Sequence, residues 1–146
     1  MFSFRLQSVL NYRAALEEKR LGEYAEAKKR FDEARKVLLS LNEQQARLLA
    51  EIKMLQSKPF SAVDLAMHLS LFEQCKAKKE RQELVVSQLL KELQKCRALL
   101  LEARKERKIM DNLKERKRKE YDAELMSQER KAIDETAVNR YVRKEK

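Results

Sequence analysis

The stretch Gln-Ser-Lys-Pro-Phe-Ser at residues 56–61 decides the fold, because it holds the only proline of the 146-residue chain. Glycine is equally scarce, since Gly22 is the only one. A chain with so few turn-forming residues cannot make the many turns of a compact fold, so it forms one long helix or two. Proline ends one helix and favours the start of the next, and Pro59 therefore predicts two helices joined once.

Apolar residues on both sides of Pro59 have the spacing of a coiled coil. Before it they recur at intervals of three and four residues, with one polar member, Gln45. The positions are Leu6, Leu10, Tyr24, Ala27, Phe31, Ala34, Leu38, Leu41, Gln45, Leu48, Ile52 and Leu55. Arg13, Glu17 and Arg20 interrupt this seam with charges. After Pro59 a similar seam runs from Leu65 to Met110 through Cys75, Leu100 and Ala103.

This spacing predicts an all-α fold, a long antiparallel two-helix coiled coil that forms a single hairpin over residues 1–146. We place the helices at about 4–57 and about 61–142, with a turn at about 57–61. So short a turn makes the helices antiparallel neighbours, and the numbers of facing residues should sum to about 118. The second helix then extends alone from about residue 117, over ~45 Å.

The charge of the chain predicts acidic partners. Its net charge is +10, and residues 104–119 hold nine Lys and Arg side chains against three acidic ones. This basic window is either a solvated helix surface, a docking surface for an acidic protein, or a nucleic-acid site. Tyr121 is the only aromatic residue nearby, which serves base stacking poorly and argues against nucleic acid.

The sequence offers little chemistry for catalysis. It has one histidine, His68, and none of the glycine-rich, Cys-x-x-Cys or His-Glu-x-x-His motifs. We therefore expect no enzyme activity, no cofactor and no metal site. Cys75 and Cys96 lie ~30 Å apart on one helix, too far for a disulfide, and we expect reduced thiols. With neither a signal peptide nor an apolar run of roughly 20 residues, we expect a cytosolic protein.

The ends and the middle of the chain resemble a known family. Residues 2–13 read Phe-x-Phe-x-Leu-Gln-x-Val-Leu-x-x-Arg, and Glu17 and Glu18 follow. Ser61 and then residues 68–75, His-x-x-Leu-Phe-x-x-Cys, come after the turn, and residues 114–116, Tyr121 and residues 133–135 close the chain. In their order and spacing these motifs resemble FliJ, the small coiled-coil protein of the bacterial flagellar type III export apparatus.

The resemblance implies a fold similar to the central stalk of rotary ATPases, and a non-enzymatic role as stalk or chaperone. It implies three kinds of partner: the hexameric flagellar export ATPase, the cytoplasmic domain of the export gate protein, and export chaperones. Through them the protein would lie on the cytoplasmic side of the cell membrane. The family's gate-contact positions fall near Leu41, Gln44, Leu48, Leu71 and Cys75. At several of these places the family has aromatic residues that this chain lacks.

The end that holds both termini is the one that the resemblance directs toward the ATPase ring. We assign residues 2–20 and 100–140 to this end. Its candidate contact residues are Phe4, Leu6, Leu10, Arg13, Arg104, Arg107, Met110, Arg116 and Lys117. Three alternatives stay open: the stalk protein of an injectisome, a nucleic-acid-binding coiled coil, and a scaffolding or dimerising coiled coil.

Overall fold

The computed structural model describes residues 1–145, and its regular structure consists of two helices. Helix α1 spans Gln7–Gln56, with 50 residues, and helix α2 spans Ala62–Lys144, with 83 residues. Strands are absent from residues 1–145. The predicted all-α helical hairpin is confirmed.

The connection between the helices is built as the sequence around Pro59 requires. The Ser57 hydroxyl donates a hydrogen bond of 2.7 Å to the carbonyl of Met54, which satisfies a backbone acceptor at the end of α1. Pro59 has no N–H group to continue the helix. The carbonyl of Ser61 then accepts a hydrogen bond of 3.1 Å from the amide of Leu65, which begins α2.

Helix α1 begins at Gln7 rather than at about residue 4. The amide of Gln7 donates a hydrogen bond of 3.1 Å to the carbonyl of Phe4, which closes a turn ahead of the helix. Residues 1–4 precede this turn without helical structure. The side chain of Phe2 packs on α2 instead, so contacts with the second helix replace one further helical turn at this end.

The chain divides into two compact units, and each contains parts of both helices. Unit 1 consists of Met1–Glu18 and the chain from Glu102 onward, and unit 2 consists of Lys19–Leu101. In unit 2 the side-chain amide of Gln82 donates a hydrogen bond of 3.0 Å to the Ala34 carbonyl, and the Cys75 thiol donates one of 3.6 Å to the Leu41 carbonyl. Between these two hydrogen bonds the partner on α1 advances from residue 34 to 41, while the partner on α2 goes back from residue 82 to 75. The helices of this unit are therefore antiparallel.

The buried core is a narrow line of side chains. Every buried apolar residue lies at a position of the seam that the heptad spacing predicts. These residues are Leu10, Ala27, Ala34, Ile52, Cys75, Leu100 and Ala103. Most of them are small, so the two helices approach closely and bury little else. Neither helix has a stretch long and apolar enough to cross a membrane within the described residues.

Leu100→Ala should destabilise the protein strongly, because Leu100 is only 4 % exposed and its loss leaves a cavity in the seam. We expect a decrease of about 2–5 kcal/mol in the free energy of unfolding, measured by urea denaturation with circular dichroism. The matched control is Leu101→Ala at the next position, which is 52 % exposed and should cost about 0.5 kcal/mol or less. Equal effects of the two variants would contradict the observed seam.

Candidate functional site

Ion pairs join the helices of unit 1 where charged residues interrupt the apolar seam. Arg13 of α1 pairs with Glu106 of α2. Glu17 of α1 accepts a hydrogen bond of 3.0 Å from Arg107, and its other carboxylate oxygen lies 3.7 Å from the Nε of Arg104. The Glu17 side chain is only 18 % exposed. Its carboxylate therefore links the helices where an apolar side chain would otherwise fill the seam.

Arg107 is the most connected cation of this network. It also lies 3.6 Å from the carboxylate of Asp111, one turn farther along α2. The hydrogen bond to Glu17, together with the negative charge of that carboxylate, raises the pKa of Arg107. Both Arg104 and Arg107 keep about half of their side-chain surface exposed, at 51 % and 45 %, so they can also face a partner.

Unit 1 also contains an apolar cleft. The ring of Phe2 packs against that of Tyr121, with 5.7 Å between the ring centroids and 51° between the planes. The cleft has a volume of about 730 Å³. Its lining consists of Met1, Phe2, Ser3, Phe4, Arg5, Leu6, Leu113, Lys117 and Tyr121. The segment before α1 and one face of α2 thus form a concave surface.

All nine residues assigned to the ATPase-facing end lie in unit 1. Phe4, Leu6 and Lys117 line the cleft. Arg13, Arg104 and Arg107 belong to the ion-pair network. Leu10 is buried in the seam, Met110 is half-buried, and Arg116 is exposed. The structure therefore separates these residues into a charged group, residues of an apolar cleft, and the seam residues Leu10 and Met110.

Sequence reasoning did not assign Leu113 or Tyr121 to the site. Both residues are half-buried and line the cleft with Lys117. Met110, Leu113, Lys117 and Tyr121 follow one another at intervals of three and four residues along α2. This spacing places them on one helix face, and it is the signal by which the cleft could have been found.

A second concave surface, in unit 2, brings together residues that the family resemblance singled out. Gln44 and Leu48 of α1 and Leu71 and Cys75 of α2 line a groove of about 350 Å³. Its other lining residues are Arg47, Glu51, Gln74 and Lys78. Leu41, the fifth position, accepts the hydrogen bond of the Cys75 thiol. Residues far apart in the sequence thus form one surface of mixed apolar and charged character.

The histidine and the cysteines contribute to packing in unit 2. The Nδ1 atom of His68 lies 2.8 Å from the carbonyl oxygen of Asp64, and its Nε2 atom lies 3.6 Å from the Glu51 carboxylate. Cys75 and Cys96 are free thiols. Among residues 1–145, no three His, Cys, Asp or Glu side chains are grouped to hold a metal ion.

Glu17→Ala should weaken the pairing of the helices in unit 1, because it leaves Arg104 and Arg107 without their shared carboxylate. Since both arginines are half-exposed, we expect a loss of about 1 kcal/mol or less, and a smaller dependence of stability on salt. Hydrogen exchange should accelerate at the amides of residues 8–18. The control is Glu18→Ala, which removes an exposed carboxylate. Identical exchange rates in the two variants would contradict the role of Glu17.

Comparison with known proteins identifies the family. The family described as "Flagellar FliJ protein" matches residues 2–146, which is nearly the whole chain. No curated protein and no solved structure matches the chain. A match over this length shows family membership, and it agrees with the resemblance that the terminal and central motifs carry. The chain therefore belongs to the FliJ family and is a component of the flagellar export apparatus.

Proposed function

We propose that the protein is the stalk of the hexameric flagellar export ATPase, and that unit 1 is the part that contacts the ATPase. In this role it promotes assembly and activity of the hexamer, and thereby export of substrates. It has no catalytic role of its own. Family membership supports the export function, and the charge distribution of unit 1 supports the choice of this unit.

The choice of unit 1 rests on its cations that have no ion-pair partner among residues 1–145. Within the described residues, four of the nine basic side chains of residues 104–119 form ion pairs: Arg104, Arg107, Lys117 and Lys119. The other five form none there: Lys105, Lys108, Lys114, Arg116 and Arg118. Such cations attract acidic protein surfaces and accelerate encounter with them.

We propose the groove of unit 2 as the contact surface for the cytoplasmic domain of the export gate. The resemblance directs this partner to Leu41, Gln44, Leu48, Leu71 and Cys75, and four of these residues line the groove. Leu71 is apolar but 44 % exposed, so its burial by a partner would stabilise the complex. Binding here leaves unit 1 available to the ATPase.

Export chaperones are a third class of partner that we propose, without assigning them a surface. Through the ATPase and the gate the protein would reside at the cytoplasmic face of the cell membrane. The family match favours the flagellar system over the injectisome. Nucleic acid is a poorer partner for unit 1, because Tyr121 already packs against Phe2 and few other rings are present for bases.

Reversing charge in unit 1 should weaken binding to the purified export ATPase. We expect the variant Arg104→Glu, Arg107→Glu, Arg116→Glu and Lys117→Glu to bind at least about tenfold more weakly and to lose ATPase stimulation, because each reversed charge repels an acidic surface. A second variant reverses only unpaired cations, with Lys105→Glu, Lys108→Glu, Arg116→Glu and Arg118→Glu. It keeps the network of Glu17 intact and should show the same loss.

The control for both variants reverses four exposed lysines of unit 2: Lys28, Lys29, Lys36 and Lys53. It carries the same net charge as the variants of unit 1, so a difference in binding reports position rather than total charge. Circular dichroism establishes that each variant is helical. Equal binding and equal ATPase stimulation by all three variants would overturn the assignment of unit 1.

Leu71→Ser should weaken binding to the cytoplasmic domain of the export gate by about tenfold or more, because the interface loses an apolar side chain. Calorimetric titration with the purified domain measures this. Leu69→Ser is the matched control, because Leu69 has the same exposure, 45 %, and does not line the groove. ATPase binding should be unchanged in both. A gate affinity that is the same for the two variants would contradict the proposed surface.

A further inference from the structure

The cleft of unit 1 is an incompletely filled apolar site. The side chains of Phe2, Phe4, Leu113 and Tyr121 are half-buried, and Leu6 is exposed. Its volume of about 730 Å³ lies in the range of sites that hold one or two large side chains or a drug-sized molecule. The concavity contains three aromatic rings and two leucines. A partner that displaces the water in contact with them is bound more tightly, because apolar surface is removed from water.

The positive charge around the cleft favours an acidic occupant. Arg5 and Lys117 line it, and no carboxylate does so among the described residues. Arg5 has no ion pair in the described part of the chain, while Lys117 holds Glu120 at 2.9 Å. Arg116 and Arg118, on either side of Lys117, are exposed and also without an ion pair there. The apolar surface is therefore bordered by cations on both the N-terminal segment and α2.

We propose that this cleft binds an acidic segment of a partner protein by inserting one large apolar side chain between Phe4, Leu113 and Tyr121. Carboxylates on either side of the inserted residue pair with Arg5 and with the cations near Lys117. The inference rests on the proposed function only for the source of the segment, which is the export ATPase. The site itself stands on the geometry and charge of the cleft.

A membrane surface fits the cleft less well than a peptide. A helix that lies in a membrane interface needs a continuous apolar face. Around the cleft, α2 carries charged residues at 114–120 without interruption, and these include Glu115 and Glu120. The apolar surface is limited to the concavity, so it accepts single side chains rather than acyl chains.

The absence of tryptophan from the chain allows a direct test. Phe2→Trp places the only indole of the protein in the cleft, and Tyr121→Trp does so from α2. Three synthetic peptides are titrated against each variant while tryptophan fluorescence is recorded. They are an acidic peptide with one central phenylalanine, the same peptide with serine in its place, and a basic peptide with phenylalanine. Vesicles of phosphatidylglycerol form a fourth arm.

We expect saturable binding of the acidic phenylalanine peptide, at least about tenfold tighter than the acidic serine peptide, because phenylalanine adds a buried apolar side chain. Its affinity should fall as salt is raised. Leu113→Gln, made in the tryptophan variants, should abolish this preference, and Ile109→Gln, at an exposed position outside the cleft, should keep it. Equal binding of the serine or the basic peptide, a response to vesicles alone, or no saturation would each overturn the proposal.

These results separate the cleft from the proposed function. A chain that binds the acidic phenylalanine peptide but not the ATPase contradicts the proposed function and supports the cleft as a peptide site. A chain that binds the ATPase but none of the peptides contradicts the cleft and leaves the stalk function in place. Both tryptophan variants are compared, so that a loss of folding in one does not decide the outcome.

Discussion

In each unit α1 and α2 contact one another through a narrow seam, and this contact is the constraint on which the rest of the structure depends. One turn at Pro59 joins the helices, and no third element covers their outer faces within residues 1–145. Within the part of the chain that the structure describes, seven apolar residues are buried, and three of them are alanines. Most of the helical surface is left for charges and for partners. In a protein of this build, most side chains of residues 1–145 lie at the surface.

The chemistry of the seam differs between the two units. In unit 2 it combines small apolar residues with polar contacts such as the 3.3 Å hydrogen bond from Lys79 to Gln45. In unit 1 the carboxylate of Glu17 and its two arginines take the place of apolar contacts. Ion pairs that are half-exposed are weakened by salt and contribute little net stability. The pairing of helices in unit 1 is therefore the part that ionic strength or a charged partner can most easily change.

The sequence was sufficient to predict the hairpin, because its scarcity of turn residues and its heptad spacing both depend on local chemistry. It was not sufficient to predict that α1 begins at Gln7 rather than at about residue 4, because the preceding segment packs on α2 through Phe2 and Tyr121. The pairing of Leu48 with Leu71 in unit 2 could be predicted, because their numbers sum to within one of the value of about 118 expected for facing residues. That the surface they line is concave needed the structure. Sequence periodicity identifies which residues share a helix face, whereas a concave site also depends on the segment that packs against that face.

Helix α2 beyond Tyr121 connects stability with function. Its side chains at 122–145 are exposed, so this stretch lacks the tertiary contacts that stabilise most helices. An ion pair supports the helix just before this stretch, where the hydrogen bond from Lys117, together with that cation's charge, lowers the pKa of Glu120. Such exposed pairs contribute little to the stability of a helix. A partner that bound the helical form of this stretch would therefore stabilise it by mass action.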